Sequence, residues 1–225
     1  MRTTRETIEA LSANLAPVRR QATPLMRTML WMALAVGVIS LLALSHGLRP
    51  NLFTRASELP FQLEVISALL TGMLAAFAAF ISGIPGRSKW WMGLPLPALA
   101  LWMAVVGQQC LSNWIVIGPE GMTLGESAEC LATVGLTSLP LSLTLIVMLR
   151  NAVVMRPLAS YLLGGLAVAG IAGAAMSLMH VLDASVMIIL FNVVTTLLMV
   201  SVAALLAKVS GNHDARADRR LGNFR

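Results

Sequence analysis

The sequence predicts an all-α polytopic membrane protein: a bundle of six transmembrane helices preceded by a short cytoplasmic amphipathic helix. Three observations carry this expectation. Of the 225 residues, 57% are hydrophobic and only 12% are charged, about half the charge of an ordinary soluble domain. The apolar residues gather in long runs instead of recurring with the period of a half-buried helix or strand. The basic residues sit between those runs and favour alternate sides.

The runs occupy residues 29–48, 61–84, 90–110, 127–149, 157–179 and 185–207. Each is near the roughly 20 residues that cross about 30 Å of hydrocarbon. A helix satisfies its own backbone polar groups there, so helices are expected. Lys and Arg set the orientation. Arg2, Arg5, Arg19, Arg20 and Arg27 precede the first run, Arg87 and Lys89 follow the second, and Arg150 and Arg156 follow the fourth. Lys208, Arg216, Arg219, Arg220 and Arg225 close the chain. Fourteen basic residues then share one side, and only Arg49 and Arg55 fall on the other. Both termini are therefore expected in the cytoplasm, and an odd number of spans would spoil the agreement. Trp31, Trp90 and Trp91 fall near the inner interface and Trp114 near the outer one, where aromatic belts form.

Three regions follow: a cytoplasmic segment at 1–28, a membrane domain at 29–207 and a basic cytoplasmic tail at 208–225. The first is too polar and too long for the n-region of a cleavable signal peptide. The net charge of +6 and pI near 10.6 are accounted for by topology. The expected surroundings are a lipid bilayer, with no direct nucleic-acid partner.

Within the spans, Gly165, Ala169, Gly173 and Ser177 recur every four residues and share one helix face, a stripe that lets two helices approach closely. Pro95 and Pro97 are expected to distort the start of the third span, and Pro140 to bend the fourth. No internal repeat marks duplicated transporter halves.

Thr3 followed by Glu6 fits a capping box. Ile8, Leu11 and Leu15 then fall on one helical face, Pro17 stops or kinks the helix, and Arg19 and Arg20 follow. So short a helix is marginal alone in water and needs a surface to lie on. That surface is either the inner leaflet, with the two arginines near anionic headgroups, or a groove on a cytoplasmic partner.

The outer side gathers ligand-type residues at one depth: His46, Glu64, Cys110, Glu126, Glu129, Cys130, His180 and Asp183. Glu64, inside a span, costs a few kcal/mol unless it finds a partner; it is expected at the bundle mouth with His46 nearby. Cys110 and Cys130 share the oxidising face and would close a 21-residue segment as a disulfide. Thiolate, imidazole and carboxylate would alternatively hold a metal, with Cys130 and His180 the weak candidates. The plain reading is two unpaired cysteines acting as small hydrophobes. No CxxC or HExxH spacing occurs.

No nucleophile–base pair, phosphate-binding loop or paired haem ligands can be found, so neither an enzyme nor a cofactor is expected. A small six-helix transporter is the alternative, but Glu64, Gln108, Gln109 and Asn192 make a thin polar path.

The chain resembles the NrsF-type negative regulators of sigma-F, bacterial membrane anti-sigma factors of the extracytoplasmic-function class. The matching pieces are PVRR at 17–20 with Arg27 and Trp31 beyond it, GLRP at 47–50, LLTGMLAAFAAF at 69–80 and PGRSKWW at 85–91. PLPALALW at 95–102, GPEGMTLGESAECL at 118–131 and MHVLDAS at 179–185 complete the set. Their order on six spans makes the match specific. The resemblance implies a stress-responsive regulator in the bacterial inner membrane. Its cytoplasmic N-terminal segment would hold an extracytoplasmic-function sigma factor through Ile8, Leu11, Leu15, Arg19 and Arg20. It also implies signal sensing by periplasmic cysteines that respond to metals or oxidants. One such cysteine matches Cys130, with Glu129, Cys110, His180 and Asp183 around it. The second usual cysteine follows the His before the last span, and here that position is Val181.

Overall fold

The computed structural model describes residues 4–13, 22–114, 124–150 and 157–179, with single positions 197 and 201. Every described element is helical. In chain order these are α1 (Thr4–Ala13), α2 (Pro24–His46), the short α3 (Leu52–Arg55), α4 (Leu59–Ser82), a 3-10 turn (Lys89–Gly93), α5 (Leu96–Trp114), α6 (Leu124–Arg150) and α7 (Pro157–Met179). Five stretches among the described residues are long and apolar enough to cross a membrane: α2, α4, the 3-10 turn running into α5, α6 and α7. They correspond to the first five predicted runs. The sixth, 185–207, lies almost wholly outside the described residues, as does the 208–225 tail.

Local chemistry sets the helix boundaries. Helix α2 starts at Pro24, ahead of the predicted run at 29–48, because Thr23 caps it: its hydroxyl accepts from the Met26 N–H at 3.3 Å. Pro24 then fills a first-turn position where its missing N–H costs nothing. Arg27 consequently stands in the first turn of the span and not in the tail. At the other end Gly47 adopts φ 84 and turns the chain away from the helix axis, a conformation that favours glycine. Pro95 and Pro97 stand where the start of the third span departs from α-helix. They bracket the first residue of α5, and the preceding residues form the 3-10 turn, whose start is capped by the Ser88 hydroxyl. Pro140 does lie inside α6.

The bundle is built on α4 and α7, which pack antiparallel. Over an 18-residue apolar stretch of each, 61% and 78% of residues are buried, against 22% in α2. Helix α5 packs on α4, α6 packs on α7, and α2 fills the groove between α6 and α4. Small residues allow the central contact. A Cβ on Gly170 would lie 2.7 Å from both the Ala68 carbonyl oxygen and the Gly72 nitrogen, so the two backbones meet there. The predicted Gly165–Ala169–Gly173–Ser177 stripe is buried, but the closest backbone approach passes through Gly170, beside it. Gly173 instead makes room for the indole of Trp102 from α5.

The core toward the Arg27 end combines Trp31, Phe80, Leu141, Leu145, Leu149, Ile171 and neighbouring alanines. Trp102 and Val106 pack with Ala68 and Ala174 in a second cluster. Trp31, expected in an interfacial belt, is instead fully buried. Trp90 is 89% exposed, and Trp91 meets Phe77 edge-on at 6.0 Å. Outward faces are apolar, with Leu30, Leu41 and Leu44 of α2 and Leu139 and Leu143 of α6 exposed, as lipid-facing surfaces require.

Gly170→Ala should cost on the order of 1–3 kcal/mol, because the methyl meets backbone that cannot move aside. Gly37→Ala, with open space around it, should be neutral or slightly stabilising. Thermal unfolding of both variants in the same detergent measures the difference.

Candidate functional site

Helix α1 is described over Thr4–Ala13; the expected cap Thr3 and Pro17 lie outside the described residues. Arg5, Glu6, Glu9 and Ser12 are exposed, and the Arg5 guanidinium pairs with Glu9 at 3.1 Å one turn away. At such exposure this pair adds little, but it marks the polar face. Ile8 and Leu11 lie on α1 three residues apart. Their side chains are outside the described residues, as are Leu15, Arg19 and Arg20.

Of the polar residues expected at the end of the bundle opposite Arg27, Glu64 and His46 have described side chains. Glu64 sits in the second turn of α4 and is buried. Its carboxyl oxygen accepts from the Ser177 hydroxyl of α7 at 2.6 Å. That hydroxyl also lies 3.1 Å from the Gly173 carbonyl. A hydroxyl has one proton to give, and the shorter contact takes the larger share. His46 is not the neighbour that was expected: it is exposed, and its Nδ1 lies 2.9 Å from the Ser45 hydroxyl. Sequence reasoning missed Arg49, which is also buried here. Its backbone N–H donates to the Leu178 carbonyl at 3.2 Å, in the last turn of α7. The available signal was its isolation as one of two cations on the sparsely basic side.

Cys110 lies in the last turns of α5, and Glu129 and Cys130 in the second turn of α6. The topology brings all three to this same end. However, α5 packs on α4, whereas α6 packs on α7 and α2. The side chains of these residues, and the whole of His180 and Asp183, lie outside the described residues. Among the described residues no group of three or more His, Cys, Asp or Glu could hold a metal ion.

At the other end, two α2 side chains reach backbone carbonyls of α6. The Arg27 guanidinium donates to the Met148 carbonyl and lies 4.5 Å from the centroid of the Phe80 ring. One turn on, the Trp31 indole N–H donates to the Leu141 carbonyl at 3.2 Å. The Ser82 and Ser160 hydroxyls, 2.8 Å apart, join α4 to α7 nearby.

Ser177→Ala should destabilise the protein by about 1–3 kcal/mol, because a buried carboxyl group loses a donor. Glu64→Ala, which removes the group to be satisfied, should not add to that loss in the double variant. Unfolding midpoints of the two single variants and the double variant, compared as a cycle, test the coupling.

No curated relative and no solved structure matches the chain. One protein-family model does match, described as NrsF, negative regulator of sigma F, over residues 11–210. The matched stretch starts within α1 and takes in every described span, including the Arg27–Trp31 contacts and the Glu64–Ser177 pair. Covering most of a chain with this helical architecture, it shows that the protein belongs to the NrsF family, the negative regulators of sigma F, and it implies a sigma factor as partner.

Proposed function

We propose that the protein is an anti-sigma factor of the bacterial inner membrane that sequesters an extracytoplasmic-function sigma factor and releases it on a periplasmic redox or metal stress signal. The single observation that carries this is the family match from residue 11 to residue 210. The match takes in Leu11, Leu15, Arg19 and Arg20 of the arm together with the bundle, and Ile8 precedes it.

The arm is the sigma-holding element. Ile8, Leu11 and Leu15 supply its apolar contact, and Arg19 and Arg20 its charge. A helix of 10 residues gains stability from the surface it docks on, which suits coupled folding and binding. Held against the membrane, the sigma factor is kept from core RNA polymerase. No catalytic step is involved. Both termini are cytoplasmic in this reading, in keeping with the charge distribution. The sensing residues are Cys130, Cys110, Glu129, His180 and Asp183 at the opposite end.

Ile8→Asp with Leu11→Asp should weaken retention of the sigma factor on membranes by roughly tenfold or more, as loss of a buried apolar anchor does. Undiminished co-purification would remove the arm from the mechanism. Cys110 and Cys130 should react with a membrane-impermeant maleimide added outside spheroplasts, and pretreatment with diamide or cadmium should reduce that labelling. Labelling only after the membrane is opened would reverse the orientation.

A further inference from the structure

We propose that Arg27 and Trp31 are positioning residues that couple α6, the helix of Cys130, to the sigma-holding arm continuous with α2. This rests on the reading that the arm binds the sigma factor.

Arg27 is oddly placed for a residue with only a topological role. The first turn of a helix carries a partial positive charge and disfavours a cation. The C-terminal end of α6, with partial negative charge, offers the opposite environment. The Arg27 guanidinium goes there, to the Met148 carbonyl, with the Phe80 ring beneath it. Trp31, four residues later on the same face, is fully buried and donates to the Leu141 carbonyl. Leu141 and Met148 are seven residues apart, hence also on one face, roughly 10 Å along the axis.

Both acceptors are backbone atoms. A side-chain acceptor can re-orient to keep its bond when helices shift, whereas a backbone carbonyl moves with the helix that carries it. Sliding or rotating α6 against α2 therefore strains both contacts together. The lower acceptor also has a particular neighbour. Leu141 follows Pro140, which has no N–H for the Leu136 carbonyl one turn back. Trp31 thus holds α6 just past the gap in its own hydrogen-bond ladder. Cys130 and Glu129 lie on the other side of that gap. Toward its start α2 runs unbroken to the Thr23 cap, and ten residues separate Ala13 from Pro24. A rearrangement at the far end of α6 reaches the arm by way of these two side chains.

Spatial continuity alone does not demonstrate coupling, so the test is a mutant cycle. The full-length protein in lipid nanodiscs is titrated with the sigma factor. Pro140→Ala, which restores the missing ladder bond, is the perturbation of α6. In the wild-type background it should change Kd about fivefold or more, within the usual range of coupling between sites. With Arg27→Gln and Trp31→Phe together, the same change should alter Kd by less than about twofold. Arg27→Lys, keeping a cationic donor, should restore part of the response. Should the double variant fail to fold, Trp31→Phe alone keeps an aromatic ring and closes the cycle.

Equal effects of Pro140→Ala in both backgrounds would overturn the proposal, because a purely structural role for the two residues predicts additivity. So would no effect of Pro140→Ala in either. The underlying reading fails separately: Ile8→Asp with Leu11→Asp would then leave Kd unchanged in the same assay. If that variant loses affinity while the cycle is additive, the arm stands and only the coupling falls.

Discussion

The structure depends on the meeting of two backbones. Lipid tails are as apolar as leucine, so helices in a bilayer gain little from hiding hydrophobic surface from one another. They gain from close packing, and among the described glycines the closest approach of backbone to backbone is where Gly170 of α7 lies against Ala68 and Gly72 of α4. Everything else is arranged on that pair: α5 on its α4 side, α6 on its α7 side, and α2 in the remaining groove.

Polar groups along this pair do a second job. Ser177 with Glu64 ties it at one end, and Ser82 with Ser160 ties it at the other. Between them Thr71 turns its hydroxyl back to the Ser67 carbonyl at 2.7 Å, and Ser67 does the same toward Glu64 at 3.1 Å. Each hydroxyl finds a partner inside the protein, as a medium without water demands. Pinned at both ends, the central pair has little freedom in register. Motion that carries a signal falls more naturally to the helices around it, and α2 and α6 are the pair whose mutual grip is made of side chain to carbonyl bonds.

Much of this was legible in the residues. Run length gave the five described spans, because bilayer thickness sets a length that composition reveals directly. Order of motifs gave the family. Inward and outward orientation of single side chains was not legible. Trp31 looked like a belt residue because it lies near a basic segment; only the packing of α6 shows that it points to the core. Arg27 counted as a tail residue until the Thr23–Pro24 start moved it into the span. Arg49 was an exception to a charge rule, and its burial depends on α7 ending beside it. The stripe on α7 was found, but α7 is apolar around its whole circumference, so the sequence could not choose Gly170 over Gly173 as the point of contact. Long-range pairing leaves no periodic trace.

Alanine and glycine line the contact of α4 with α7: Ala68 and Gly72 on one side, Ala167, Gly170 and Ala174 on the other. Such a wall has almost nothing to lose by truncation, since its bricks are already the smallest available. It is vulnerable to growth alone. Genetic drift at these positions is therefore one-directional in its damage, with every added carbon forcing the two rods apart, whereas the leucine-faced exterior can exchange one oily side chain for another freely.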